Sequence, residues 1–280
     1  MSASMIAAQM YTLRQFSRTP ADIAATLKKV RQIGYTAVQL SALGPIDPTE
    51  LGKILRGEGL TCCATHVSFE RMRDQTQQVI DEHQLWDCAY SAIGVIPGEY
   101  RNHQGYIRFA AEVSEVARKL AAAGLTFGYH NHSFELEKFD QKTGLELLIE
   151  RSDPKAVTFE IDTYWIQHGG GDPADWIRKV SGRIPLVHLK DLVMGRDTTA
   201  APPRRFEGES QTDYQKRLGG QGPVQLMAEV GEGNLNWTSI LSACRQAGVR
   251  WYIVEQDVCQ RDPFESLAIS LRNLRAMGLS

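Results

Sequence analysis

Leu120–His130 reads L-A-A-A-G-L-T-F-G-Y-H, and this stretch decides the fold. A helical run ends at Gly124, and Thr126–His130 then follows as a short strand-like run. Glycine takes up the left-handed conformation that closes a helix, so the chain turns at once into a strand. The strand-like run is apolar or β-favouring until its last residue, a histidine. The same phrase occurs at Val30–Leu40 (V-R-Q-I-G-Y-T-A-V-Q-L), Leu55–His66 (L-R-G-E-G-L-T-C-C-A-T-H) and Cys244–Glu255 (C-R-Q-A-G-V-R-W-Y-I-V-E). Each copy marks a junction from helix to strand.

Four strand-like runs end in residues that bind metal or move protons: Phe127–His132, Thr158–Asp162, Pro185–Lys190 and Trp251–Asp257. A buried parallel strand should be apolar throughout. Ionisable groups at carboxyl ends are how α/β barrels build active sites. The remaining pattern places strands near Ile6–Tyr11, Ala37–Leu40, Thr61–His66, Tyr90–Val95, Thr126–His130, Thr158–Asp162, Pro185–Lys190 and Arg250–Glu255. Helices fall near Pro20–Ile33, Pro48–Arg56, Phe69–Leu85, Tyr106–Ala123, Gly144–Arg151, Pro173–Val180, Trp237–Ala247 and Pro263–Met277. Proline opens four of them, where its missing N–H costs little. Strands alternating with helices over 280 residues predict an α/β fold, a (β/α)8 TIM barrel in a single domain spanning 1–280. Residues 192–236 are too long for a plain connection and follow a strand's carboxyl end. They are expected over the active-site mouth, as a substrate lid or a surface contact loop.

Composition narrows the function. The net charge is −2, so no strong field draws the chain to nucleic acid or an anionic membrane. The five cysteines lack metal spacing and read as core thiols of a reducing compartment. No segment reads as a signal peptide or membrane span, and a cytoplasmic location is expected. Gly169–Gly171 precedes a helix but lacks the lysine and spacing of a phosphate-binding loop. His83 reads as a surface residue.

Asp162, His188 and Glu255 each end a strand, and neighbouring strand ends in a barrel lie side by side. A mixed Asp, His and Glu set suits Mn²⁺, Mg²⁺, Co²⁺ or Zn²⁺. Buried carboxylates are costly without a cation. The segment Y-H-N-H-S-F-E-L-E adds His130, His132, Glu135 and Glu137 as further candidates. His66, at the end of C-A-T-H, is placed to meet a substrate hydroxyl or to cap a loop. Trp165 is an aromatic residue near the rim, placed to stack on a ligand or simply to pack. Lys190 is a donor to a substrate oxygen, with an ion pair to Asp191 as the alternative.

The chain resembles the xylose isomerase-like TIM-barrel family of sugar isomerases and epimerases, which includes tagatose 3-epimerase, hydroxypyruvate isomerase and inosose dehydratase. The matching phrases are Y-H-N-H-S-F-E at Tyr129–Glu135, E-I-D-T-Y-W at Glu160–Trp165, V-H-L-K-D at Val187–Asp191, V-G-E-G-N-L-N-W at Val230–Trp237 and I-V-E-Q-D at Ile253–Asp257. A-A-Q-M-Y-T-L-R at Ala7–Arg14 matches more weakly. The resemblance implies one divalent ion held by Glu135, Asp162, His188 and Glu255. Epimerases of this kind carry the first glutamate inside the strand, where this chain has Tyr129 and His130, so His130 or His132 is an alternative fourth ligand. The implied activity is isomerisation or epimerisation of a small sugar or polyol ketone through an enediolate, with dehydration of a keto-inositol or keto-sugar as the alternative. Glu255 and Glu135 are the implied acid/base pair, with His130, His132 or Lys190 as alternatives. His66, His132, Trp165 and Glu232 are expected at the substrate, Glu232 from a loop at the pocket edge. Pairing of barrels into a homo-oligomer is compatible with the pattern. A nuclease on the same barrel would need more ligands and a basic face.

Overall fold

The computed structural model describes residues 5–196, 204–219 and 223–279. Eight parallel strands form the barrel: β1 (Met5–Gln9), β2 (Ala37–Leu40), β3 (Thr61–His66), β4 (Tyr90–Ile93), β5 (Thr126–His130), β6 (Val157–Asp162), β7 (Leu186–Leu189) and β8 (Trp251–Val254). Each pairs with its sequence neighbours, and β8 pairs with β1 to close the ring. The glycines of the four repeated phrases all have positive φ, from 64° at Gly59 to 114° at Gly34, as closing a helix directly before a strand requires. Among the described residues no helix is long and apolar enough to cross a membrane.

Three expected helices, Pro20–Ile33, Gly144–Arg151 and Trp237–Ala247, form with the bounds read from the sequence. Side-chain caps explain the starts. Thr19 and Asp22 make a reciprocal capping box, as do Thr143 and Glu146, and Asn236 caps the third helix at Ser239. The expected Phe69–Leu85 helix is instead two, Phe69–Asp74 and Thr76–Leu85, because Gln75 leaves helical geometry (φ −127°, ψ 35°).

Alternation along the strands divides the interior into two zones. Outward residues such as Val38, Phe127, Phe159, Val187 and Tyr252 join the main core beneath the helices. Inward residues Ala7, Ala37, Cys63, Leu186, Trp251 and Ile253 form a separate apolar cluster. Two positions further along the same strands stand Gln9 after Ala7, Gln39 after Ala37, His188 after Leu186 and Glu255 after Ile253. An apolar plug therefore fills the barrel's lower part and a polar layer lies directly above it, at the carboxyl ends.

The stretch expected to span 192–236 begins in a hairpin, Asp191–Gly195 paired antiparallel with Val224–Ala228, and carries a helix at Gln211–Gly219. Residues 197–203 and 220–222 of it lie outside the described residues. Four cysteines are buried and Cys259 is half-buried, with no disulfide among them. His83, expected at the surface, is buried. Its Nδ1–H donates to Val79 O at 2.6 Å and its Nε2 faces Thr65 Oγ1 at 2.7 Å. It lies on the inner side of its helix, which hydrophobic periodicity alone did not assign to a histidine.

Candidate metal centre

In the register of β6 and β7, Asp162 stands directly beside His188, so both point inward. His130 closes β5, and Glu255 follows β8 by one residue. These four bring ligand atoms within 4.8 Å of one another, and all four are buried. First-row ions bind nitrogen and oxygen at about 2.0–2.2 Å, so ligands opposite each other on one ion stand roughly 4.4 Å apart. His130, Asp162, His188 and Glu255 could thus hold one metal ion.

The hydrogen bonds test that fit atom by atom. Asp162 spends Oδ1 on capping the helix Thr163–His168, accepting from Trp165 N at 2.9 Å. Its Oδ2 faces the centre, 3.2 Å from His130 Nε2 and 3.7 Å from His188 Nδ1. His130 Nδ1 faces Gly94 O at 3.1 Å and its Nε2 is hydrogen-bonded to Asp162 Oδ2; a neutral ring that donates from Nδ1 would offer Nε2 to an ion. His188 Nε2 lies 2.6 Å from Gln39 Oε1 and so carries a hydrogen. His188 Nδ1 is 2.8 Å from Glu255 Oε2 yet is buried without a hydrogen-bond partner. The contact is a close ion pair, and Glu255 favours the charged form of the ring. Two ring nitrogens and two carboxylate oxygens this close together are a donor set that a cation fits, on release of the His188 Nδ1 proton.

Cationic side chains already sit among the carboxylates of the centre. Lys190 is buried, and its Nζ lies 2.6 Å from Glu255 Oε2, 3.1 Å from Asp162 Oδ2 and 2.9 Å from Asp257 Oδ2. Burial opposes its charge, but Asp162, Glu255 and Asp257 overcome this and hold the ammonium well above its ordinary range. The alternative pairing with Asp191 does not form. Asp191 instead accepts from Leu192 N, Gly231 N, Gly233 N, Leu235 N and the Trp237 indole. Burial likewise opposes charge on His188, yet Glu160 and Glu255 raise its pKa to about 10. Burial and the neighbouring His188 lower that of His130.

A cavity of about 570 Å³ opens on this centre, lined by His66, His130, His132, Trp165, Lys190, Glu255 and Asp257, with Tyr11, Val67, Val95 and Pro97 among its other walls. His132 Nδ1 and Trp165 Nε1 are both buried without partners. Burial, then the charges of His130 and Lys190, push His132 down to about 3, so its ring is neutral near pH 7.

Two expected site residues stand elsewhere. Glu135 is absent from the group of four. It sits behind β5, accepting from the Tyr129 hydroxyl at 2.8 Å and from His132 N at 2.8 Å. It belongs to a short turn, Phe134–Leu136, that folds back on the outward face of the strand, where Tyr129 points. Glu232 is exposed, does not line the cavity and accepts from Asn273 at 3.0 Å. None of the described residues of 192–236 lines the cavity either, although Met227 Sδ accepts from Asp257 N at 3.3 Å. Gln9, Gln39, Glu160 and Asp257 join the site without being among the expected residues. Alternation would have found Glu160, which shares a strand face with Asp162. The two glutamines are polar residues at inward positions of otherwise apolar strands, and that is their signal.

A closed parallel barrel with a histidine–carboxylate group at its carboxyl rim defines the class. The profile of the xylose isomerase-like TIM barrel matches residues 27–277, and the chain belongs to that family. An inosose dehydratase of Geobacillus kaustophilus (strain HTA426) is 20% identical over 189 residues, 59% of this chain and 61% of its own length. The chain thus spans about half to three-fifths of the length of the curated relatives it matches. A sugar phosphate isomerase/epimerase from Parabacteroides distasonis ATCC 8503 superimposes with a TM-score of 0.76 at 19% identity, over 99% of this chain and 95% of that one. A D-allulose 3-epimerase from Methylomonas sp., solved in complex with D-allulose, gives 0.69 at 14% identity, over 98% and 97%. At these identities the two structures bear on the fold alone.

Proposed function

We propose that this chain is a divalent-metal-dependent isomerase or epimerase of a small sugar or polyol ketone, working by proton abstraction beside a carbonyl. The observation that carries the reading is the buried His130, Asp162, His188 and Glu255 group at the floor of a cavity of about 570 Å³. These four residues would hold the ion. A bound divalent cation supplies Lewis-acid stabilisation of an enediolate. The chain's own residues do the rest. Glu255 reaches both the centre and the cavity, and its carboxylate takes the carbon-bound proton. Lys190, held between Glu255 and Asp257, donates to the substrate oxygen and returns a proton. Neutral His132 and the Trp165 indole offer unpaired hydrogen-bonding atoms that orient substrate hydroxyls. Val67, Val95 and Pro97 keep one wall dry. Glu135 acts in this scheme behind the strand, by fixing His132.

The match to an inosose dehydratase supports a second reading, loss of water from a keto-inositol or keto-sugar. The same enediolate then expels a β-hydroxyl, with Lys190 as the acid.

Purified protein loaded with Mn²⁺ is incubated with ketoses and keto-inositols in D₂O. Deuterium appearing beside the carbonyl is the expected result, and loss of water identifies the second reading. Neither change in any substrate, with the wild type no different from Asp162→Asn, removes both.

A further inference from the structure

Below the metal group lies a chain of hydrogen bonds with one possible direction. Tyr11 N–H donates to Gln9 Oε1 at 3.3 Å, so the other end of that amide, Nε2, is the donor to Gln39 Oε1 at 2.7 Å. Gln39 Nε2 donates to Glu160 Oε1 at 2.8 Å. A backbone N–H at one end and a carboxylate at the other leave neither amide free to flip, because each flip would set like groups against each other. Gln39 Oε1 must therefore accept from His188 Nε2, 2.6 Å away. The other oxygen of Glu160 lies 2.7 Å from His66 Nε2, and a carboxylate can only accept. His66 thus carries its hydrogen on Nε2 and bares Nδ1. No described residue bonds that nitrogen. Gly94 lies beside it, and a Cβ there would stand 3.0 Å from His66 Nδ1. His66 and Gly94 both line the cavity, and glycine leaves the nitrogen uncovered.

We propose that Glu160 is a positioning residue that sets the polarity of two histidines at once. Directly, it makes His66 a hydrogen-bond acceptor toward a substrate hydroxyl in the cavity. Directly at 3.3 Å and through Gln39, it holds a hydrogen of His188 on Nε2, so that Nδ1 is the nitrogen that gives up its proton to an ion. Glu160 is fully buried and does not line the cavity. It acts only through these neighbours. The inference about His188 rests on the metal-dependent reading above, whereas the inference about His66 does not.

The test uses the full chain with ¹⁵N-labelled histidine and Zn²⁺ as probe. Glu160→Gln replaces an obligate acceptor by an amide that can turn either way. The His66 ring signals are expected to leave the pure Nε2–H pattern, and Zn²⁺ affinity is expected to fall roughly 10–100-fold, the usual worth of an outer partner of a metal ligand. Gln39→Met removes the nearer acceptor of His188 Nε2 and leaves Glu160 Oε1, 3.3 Å away, as the remaining one. It should lower Zn²⁺ affinity by less than Glu160→Gln does and leave the His66 signals unchanged. Circular dichroism and thermal melts confirm that each variant folds, and Gln39→Met stands alone if Glu160→Gln does not. Unchanged His66 signals or wild-type Zn²⁺ affinity in folded Glu160→Gln, or altered His66 signals in Gln39→Met, overturn the proposal. A wild type that binds no divalent cation defeats the metal reading instead, and the His66 signals then decide on Glu160.

Discussion

Lys190 Nζ lies 2.6 Å from Glu255 Oε2, and the same oxygen is 2.8 Å from His188 Nδ1. Asp162 Oδ2 is shared in the same way, 3.1 Å from Lys190 and 3.2 Å from His130. An ammonium group therefore occupies the carboxylate oxygens that a divalent ion would use. Its third contact, Asp257 Oδ2 at 2.9 Å, is outside the four-residue group and lines the cavity. Loading an ion would leave Lys190 to Asp257 and to substrate.

Lys190→Met should accordingly bind Mn²⁺ more tightly than the wild type. The gain expected is about tenfold or more, the worth of one charge-assisted hydrogen bond that the ion no longer displaces. Without metal the same variant should be less stable by roughly 3 kcal/mol, because buried carboxylates lose their cation. Calorimetric titration and urea unfolding read the two effects. Unchanged or weaker binding would mean that the ammonium and the ion do not compete.

Divalent cation should raise the melting temperature. At a hundredfold excess over Kd the stabilisation is about 2.7 kcal/mol, or roughly 5–10 °C for a chain of this size. A chelator should reverse it, and Asp162→Asn and His188→Asn should abolish it. A wild type whose melting curve ignores both cation and chelator would leave the centre without a metal role.

Glu135→Gln separates two roles for Glu135. Its bonds to Tyr129 and His132 N place it behind the strand, so Mn²⁺ affinity should stay at the wild-type value. Any effect should appear in substrate binding, through His132. A drop of about tenfold or more in metal affinity would return Glu135 to the ligand set.

What the sequence made legible follows from periodicity. Four helix–glycine–strand junctions and strand ends rich in His, Asp, Lys and Glu were enough to place the barrel and to bring Asp162, His188 and Glu255 to one rim. The buried polar layer was harder to read, since Gln9 and Gln39 look like ordinary polar interruptions until the barrel closes and sets them beside Glu160, which comes more than a hundred positions later. The place of Glu135 in its phrase points to the metal, whereas the turn Phe134–Leu136 folds it behind the strand. His83 was misplaced because a histidine on a helix has no burial signature until Thr65 and Val79 are seen beside it.

Two buried groups should pull stability in opposite directions with pH. Burial, helped by the Arg71 charge, lowers His83 from 6.5 to about 4. The unfolded chain then binds more protons there, so its contribution is complete above 6.5 and is lost as pH falls toward 4. Burial raises Glu135 from 4.5 to about 7, against the pull of the Tyr129 hydroxyl and backbone N–H groups. The folded chain holds that proton longer, so its contribution is complete below 4.5 and is lost as pH rises through 7. Each amounts to roughly 3 kcal/mol at full extent, and between 4.5 and 6.5 they largely cancel in the wild type. Urea unfolding of His83→Gln and Glu135→Gln exposes them separately. The wild type's stability relative to His83→Gln should grow with pH, and relative to Glu135→Gln it should shrink. Flat differences would show that neither group titrates abnormally.

Gly233→Ala tests the seat of Asp191, which follows Lys190 directly in the chain. The buried Asp191 carboxylate is wrapped by four backbone N–H groups and the Trp237 indole, so the turn after the hairpin is built around one anion. A Cβ at Gly233 would lie 2.3 Å from Asp191 Oδ1 and 2.5 Å from Leu192 O. The second contact is backbone, so the clash cannot be relieved by rotating a flexible side chain. Either the turn shifts and loses donors, or the carboxylate moves and leaves N–H groups unpaired. Each costs on the order of 2–4 kcal/mol. Asp191→Asn should cost a similar amount, because an amide NH₂ would face N–H donors in the same cradle. Urea midpoints close to the wild type for both variants would mean that the turn is held by packing alone.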